Sequence, residues 1–232
     1  MAEKANPRQN VSFPSSGGRA HGYLALPAGS GPGVVVIQEW WGLTDHVAEV
    51  ADRLAAEGFV ALAPDLYGGP TTHDAQEAAR MMQELPVERA ARDLGGAVDH
   101  LLGHEKSTGS AVGVVGFCMG GGFAIVLAAQ QGDRVGATVP FYGVPSADGT
   151  DFSGLTSPML CHFGEYDRTI SVDAVEQLRD EIVRQSPVAP QVHVYPAGHA
   201  FFNDRNPAAY QEEAAELAWR RTLTFLRGKL GS

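Results

Sequence analysis

The run Gly33-Val34-Val35-Val36-Ile37 carries no polar side chain, and Val47, Val50, Ala51 and Leu54 follow it at helical spacing. A short β-branched run with no polar face suits a strand buried on both sides. The helix after it is expected to begin with Thr44 as N-cap and to stop at Gly58. This alternation repeats along the chain. Residues 59–63 read as a strand, and the Ala-rich stretch 74–102 as two helices broken near Pro86. Residues 111–117 read as a strand and 119–130 as a helix, then 135–141 and 158–163 as strands. A helix over 171–185, a strand over 192–195 and a closing helix over 207–226, with Pro207 at its first position, complete the pattern. Strands alternating with helices require crossover connections, hence a mainly parallel sheet with helices on both faces. Before this pattern, residues 11–14 and 19–26 flank Ser15-Ser16-Gly17-Gly18 and read as an antiparallel hairpin. No repeat or long linker divides the chain, so a single domain over residues 1–232 is expected, with residues 1–10 as a poorly ordered tail.

The formal net charge of −10 disfavours a nucleic-acid partner, because phosphate neutralisation needs a basic surface. No apolar stretch approaches the length that crosses a bilayer, and MAEKANPRQN lacks the apolar run of a secretory signal. Two cysteines, Cys118 and Cys161, are too few for a disulfide framework. The expectation is a cytoplasmic protein, a monomer or weak homodimer, without membrane, cofactor or metal.

In such sheets, sites lie beyond the carboxyl ends of the strands. After Val114-Val115 comes Gly116-Phe117-Cys118-Met119-Gly120-Gly121-Gly122. A nucleophile flanked two positions away by glycines fits a sharp strand-to-helix turn, where neighbouring backbone must approach closely. The turn lifts the side chain clear of the sheet and sets it at a helix N-terminus, which favours a thiolate. A phosphate-binding loop would need Lys and then Ser or Thr after the last glycine, but Phe123 follows. An isolated cysteine is most often a core residue. Cys161, inside an apparent strand, fits that description, whereas the glycines around Cys118 argue against it.

A cysteine nucleophile needs a base, and the base needs an orienting acid. The strand ending at Phe163 runs into Gly164-Glu165-Tyr166-Asp167, and the strand ending at Tyr195 runs into Pro196-Ala197-Gly198-His199. The order Cys118, Asp167, His199 is that of α/β-hydrolases. Glu165 is the rival acid, two residues nearer its strand. His100 and His104 are four apart, as some metal ligands are, yet no further ligand cluster joins them, so they read as a solvated helix face. His162 and His193 lie within strands and read as packed or surface-facing. An oxyanion formed on acyl transfer needs N–H donors. Those of Met119 and of Trp40, in Gln38-Glu39-Trp40-Trp41-Gly42, are the candidates. Trp41 is a candidate apolar pocket wall, and Glu39 brings a carboxylate to the same loop.

With these residues assembled, the chain resembles the dienelactone hydrolase (carboxymethylenebutenolidase) family of α/β-hydrolases over nearly its whole length. The resemblance rests on Gln38-Glu39 before an aromatic turn, Pro64-Asp65-Leu66-Tyr67, Gly116-Phe117-Cys118-Met119-Gly120-Gly121, Phe141-Tyr142-Gly143-Val144, Asp167 and Gly198-His199-Ala200-Phe201. It implies a triad of Cys118, His199 and Asp167, an acyl-enzyme on Cys118, and a Glu39 that contacts the resting thiol and aids its activation. Tyr142 and Phe201 fall in segments expected to line the substrate pocket. Well-known members hold a substrate carboxylate with two arginines. At the second of those positions this chain has Asn203, with Arg205 nearest, and in the first region Arg80 lies near without matching.

The expected activity is therefore cleavage of an ester or lactone of a small molecule, carboxylate-bearing ones included. A non-catalytic small-ligand binder on the same fold is the alternative, although a pure binder has no physical need for an aligned base and acid. A redox-responsive cysteine protein ranks third, because no second cysteine lies near Cys118 in sequence to resolve an oxidised thiol.

Overall fold

The computed structural model describes residues 6–145 and 149–231. By internal contacts the chain forms two units, Met1–Val112 and Gly113–Ser232.

The first unit opens with β1 (Val11–Ser15) and β2 (Gly18–Ala25), paired antiparallel through the expected turn. β2 pairs antiparallel with β4 (Val60–Pro64), and β4 runs parallel to β3 (Gly31–Ile37). Val34 to Ile37 are completely buried, which explains the absence of polar side chains along β3. Each such side chain contributes about 1.5–3 kcal/mol when removed from water. Three helices belong to this unit: α1 (Asp45–Ala56), α2 (Ala75–Glu84) and α3 (Val87–Leu102). Thr44 occupies the N-cap position of α1 as expected, but its side chain makes no capping bond. α2 and α3 are separated at Leu85-Pro86, because proline cannot continue the preceding helix. Residues 6–10, read from sequence as part of a loose tail, are instead tied down. Asn6 Nδ2 donates to the Leu43 carbonyl at 2.9 Å and Gln9 Nε2 to Asp65 at 2.9 Å. The rest of that expected tail, residues 1–5, lies outside the described residues.

β5 (Ser107–Phe117) carries the chain from the first unit into the second. It starts four residues before the apolar run, because Ser107 to Ser110 pair as strand with largely exposed polar side chains that hydrophobicity does not reveal. In the second unit β5 is followed by α4 (Met119–Gln131), β6 (Val135–Phe141), β7 (Leu160–Gly164), α5 (Val172–Gln185), β8 (Gln191–Tyr195) and α6 (Glu212–Leu230). The strand order here is β5-β6-β7-β8, with β6, β7 and β8 parallel. The closing helix begins at Glu212, not Pro207. Asn206 N–H donates to Asn203 O, Tyr210 N–H to Asn206 O and Gln211 N–H to Phe201 O. Residues 203–211 are thus spent on turns, and Pro207 sits among them. Beneath the carboxyl ends of β5 and β6 lies an aromatic cluster. The Phe117 ring is 4.8 Å from Phe141 and 5.3 Å from Phe202, and Phe141 is 5.0 Å from Phe202.

Candidate active site

Cys118 stands between the last residue of β5 and the first of α4, with φ 52° and ψ −119°. Positive φ is costly for a residue with a Cβ, and such conformations persist only where the surroundings enforce them. Here the enforcement is close packing of glycine backbone. A Cβ on Gly116 would stand 1.9 Å from the Gly120 carbonyl oxygen, so only glycine permits β5 and α4 to meet at this angle. Cys118 N–H donates to Phe141 O at 3.0 Å, fixing the bend against the end of β6. The other non-glycine residues with positive φ among those described are Tyr142 and Ala200, the latter next to His199.

The bend directs the sulfur at an imidazole. His199 Nε2 lies 3.2 Å from Cys118 Sγ, and His199 Nδ1 lies 2.7 Å from Asp167 Oδ2. The other Asp167 oxygen accepts from the backbone N–H groups of Thr169 and Ile170 at 2.7 and 3.0 Å. Burial alone would raise the Asp167 pKa, but the His199 hydrogen bond and charge and these two N–H groups outweigh it and hold the carboxyl below its ordinary value. For His199, burial disfavours the charged ring. The hydrogen bonds to Asp167 and Cys118 and the charges of both prevail, pushing its pKa up to about 10. The ring therefore carries a proton at neutral pH, between a carboxylate and a sulfur. Glu165, the rival acid, is exposed.

The model of the dienelactone hydrolase family matches residues 20–230. The chain belongs to the dienelactone hydrolase family. It is 33% identical over 226 residues to Protein usf of Aquifex pyrophilus, covering 94% of this chain and 97% of the relative. It is 33% identical over 222 residues to the carboxymethylenebutenolidase of Pseudomonas sp. strain P51, covering 91% of each. A solved dienelactone hydrolase-like promiscuous phosphotriesterase from metagenomic libraries superposes with a TM-score of 0.84 at 30% identity, covering 97% of this chain and 98% of that one. Membership brings the ester- or lactone-hydrolase class and the α/β-hydrolase fold: an eight-stranded, mostly parallel mixed sheet with helices and an N-terminal antiparallel hairpin.

The remaining expected site residues of this dienelactone hydrolase family member are placed as follows. In the second unit, Met119 opens α4 directly after Cys118. Tyr142 and Phe201 have no exposed surface. The Tyr142 ring packs at 5.2 Å against His199 and at 5.4 Å against Phe201, so Tyr142 backs the imidazole and Phe201 packs behind Tyr142. Their apolar character is spent on the core beneath the site. Asn203 is buried, and its Oδ1 accepts from Arg205 N–H at 3.0 Å, so it serves the turn and offers no cation. Arg205 is exposed on that turn.

In the first unit, Glu39 is only 2% exposed just past β3. The Trp40 and Trp41 rings meet edge-on at 4.8 Å and keep part of their surface open, and the Tyr67 hydroxyl donates to Trp40 O at 3.1 Å. Arg80 is an exposed residue of α2 whose guanidinium is bound by Glu77 and Glu84. Those pairs satisfy the guanidinium within its own helix. Arg89 on α3 is a further arginine of the first unit. Its Nη2 donates to Leu66 O at 2.9 Å, within the loop after β4, while its Nε is buried without a partner.

His162 is completely buried and bonded at both ring nitrogens, Nδ1 to the Tyr195 hydroxyl at 2.8 Å and Nε2 to Thr222 Oγ1 at 3.1 Å. His100 is not on a solvated face as expected. It is half-buried against Phe13 at 5.6 Å, and its Nε2 is buried without a hydrogen-bond partner. Among the described residues, no three His, Cys, Asp or Glu side chains are grouped so as to hold a metal ion. None of the described helices is long and apolar enough to cross a membrane.

Proposed function

We propose that this chain hydrolyses ester or lactone bonds of small molecules, with Cys118 as nucleophile, His199 as proton carrier and Asp167 as its orienting partner. The observation that carries the reading is the hydrogen-bonded line from Asp167 through His199 to a sulfur on a strained bend. An imidazolium beside a sulfur favours the thiolate, the reactive form. The thiolate adds to the acyl carbon, the C–O bond of the ester breaks, and His199 gives its proton to the departing oxygen. A thioester on Cys118 remains. The neutral ring then takes a proton from water, the resulting hydroxide attacks the thioester, and sulfur leaves again as thiolate while the acid is released.

In this reading the Met119 N–H faces the developing oxyanion. The Trp40 N–H, on the loop after β3, is the second donor expected from the sequence, and the family resemblance assigns Glu39 to thiol activation. Losing one such donor typically costs about 3 kcal/mol of transition-state stabilisation. Carboxylate-bearing substrates remain within the class, but Asn203 and the paired Arg80 favour no specific acid.

The test is turnover of a panel of p-nitrophenyl esters, a lactone and, because a solved relative is called a phosphotriesterase, one phosphotriester. Intact-mass and peptide spectra should trap an acyl group on the Cys118 peptide during ester turnover, and Cys118→Ala should abolish both adduct and activity. Undiminished ester hydrolysis by purified Cys118→Ala would defeat the proposal.

A further inference from the structure

Away from Cys118, the second unit has a cleft of about 310 Å³ beside the outermost strand, β8. Leu160 of β7 and Phe225 of α6 form its apolar wall, and Gln191, His193, Arg220, Arg221 and Thr224 supply its polar groups. Two adjacent guanidiniums in a chain of net charge −10 are an unusual local excess of positive charge.

Their present partners leave that charge largely uncompensated. Arg220 meets Glu216 at only 3.6 Å, with both side chains more than 60% exposed, an arrangement worth little in water. Arg221 has no carboxylate within ion-pair distance among the described residues. It donates from Nη1 to the Tyr195 hydroxyl at 3.1 Å and lies over the same ring at 5.5 Å. Its remaining N–H groups are available to an incoming acceptor without breaking that bond. Tyr195 in turn is held by the buried His162, which is bonded to Thr222 on α6, so the arginine rests on a rigid polar support. A guanidinium fixed in this way loses little freedom when it binds an oxyanion, and its fork geometry matches carboxylate and phosphate oxygens. Burial, followed by the nearby charge of Arg221, lowers the His193 pKa, which favours the neutral ring with its one N–H.

We infer that this cleft is a second binding site, for a small organic oxyanion with an apolar body, held at its charged end by Arg220 and Arg221. The volume is at the lower end of the range for small-molecule sites. It suits a single aromatic or short aliphatic group beside Leu160 and Phe225. Carboxylate and phosphate monoester share the required chemistry. The site is independent of the proposed hydrolysis, since none of its residues belongs to the line from Asp167 to Cys118.

The test is calorimetric titration of wild-type protein with benzoate, phenyl phosphate, uncharged benzamide and inorganic phosphate, with the His193 and His199 ring resonances followed by NMR. Saturable binding of benzoate or phenyl phosphate, with the His193 signal moving and the His199 signal still, is the expected result; which anion binds more tightly identifies the headgroup. Arg221→Gln and the exposed Arg220→Gln should each weaken that binding at least tenfold. The second variant keeps the test decisive should the first fail to fold. Equal binding of benzamide would show that charge plays no part, and equal binding of inorganic phosphate that the apolar body plays none. Unchanged affinity in a folded variant, no saturable binding, or movement of His199 in place of His193 would also overturn the inference.

Discussion

Gly143 sits so close to Cys118 that a Cβ built on it would stand 2.1 Å from the Cys118 carbonyl oxygen and 2.7 Å from the Gly121 Cα. The end of β6 and the nucleophile bend are therefore in backbone-to-backbone contact, with no side chain between them. The sulfur keeps its place because its neighbours have nothing to move aside.

Gly143→Ala should accordingly displace the bend. Overpacking of this kind costs about 1–3 kcal/mol, and even a small shift of Sγ from His199 should lower kcat more than tenfold with a smaller change in KM. Urea denaturation and steady-state kinetics with a p-nitrophenyl ester measure the two effects. Wild-type rates in this variant would mean that the bend tolerates movement.

The pH dependence follows from His199. Its pKa is raised to about 10, so the proton needed by the leaving group is present at neutral pH and is lost as pH rises through about 10. Activity should fall along a basic limb there. Asp167→Asn removes a hydrogen-bonding carboxylate and its charge, both of which raise the ring's pKa, so the limb should move to lower pH as overall activity drops. A pH–rate profile of both proteins checks this; a limb at the same pH in the variant would show that Asp167 does not set the ring's charge.

The two cysteines should differ in reactivity. Cys118 is partly exposed, whereas Cys161 is buried in β7, where burial pushes its thiol pKa up. Brief treatment of the native protein with iodoacetamide at neutral pH should modify Cys118 alone and abolish activity, with Cys161 modified only after unfolding. Peptide mapping would reveal early labelling of Cys161, which would contradict the packing around β7.

Stability should depend on the buried imidazole of His162. Thr222→Val keeps the shape of the side chain but leaves His162 Nε2 without its partner, a loss of about 1–3 kcal/mol. Burial, then the charges of His193 and Arg221, holds the His162 pKa well below the ordinary 6.5. Because the folded value is depressed, this contribution is fully present above about pH 6.5 and is lost as pH falls toward the folded value. Urea midpoints at several pH values should decline on the acid side, and a flat profile would argue that His162 does not set it.

Most of the fold was legible because burial on both faces leaves a plain record in the chain. β3 is wholly apolar because water never reaches it, and Pro86 marks the break between α2 and α3 because its ring cannot continue a helix. The errors fell where structure is held by backbone bonds instead of apolar pattern. The polar start of β5 left no hydrophobic trace, and nor did the turns that delay α6 to Glu212.

The candidate site divides along the same line. Local sequence alone determined that Cys118 lies on a tight strand-to-helix bend and that Asp167 and His199 follow strand ends, because glycine spacing and apolar runs are short-range constraints. Only the tertiary structure decided that the three side chains meet within hydrogen-bonding distance, that Tyr142 backs the imidazole, and that Arg221 stands over Tyr195. Those outcomes depend on contacts between segments far apart in the chain, and no local pattern of residue types encodes which way a side chain will point once the strands are side by side.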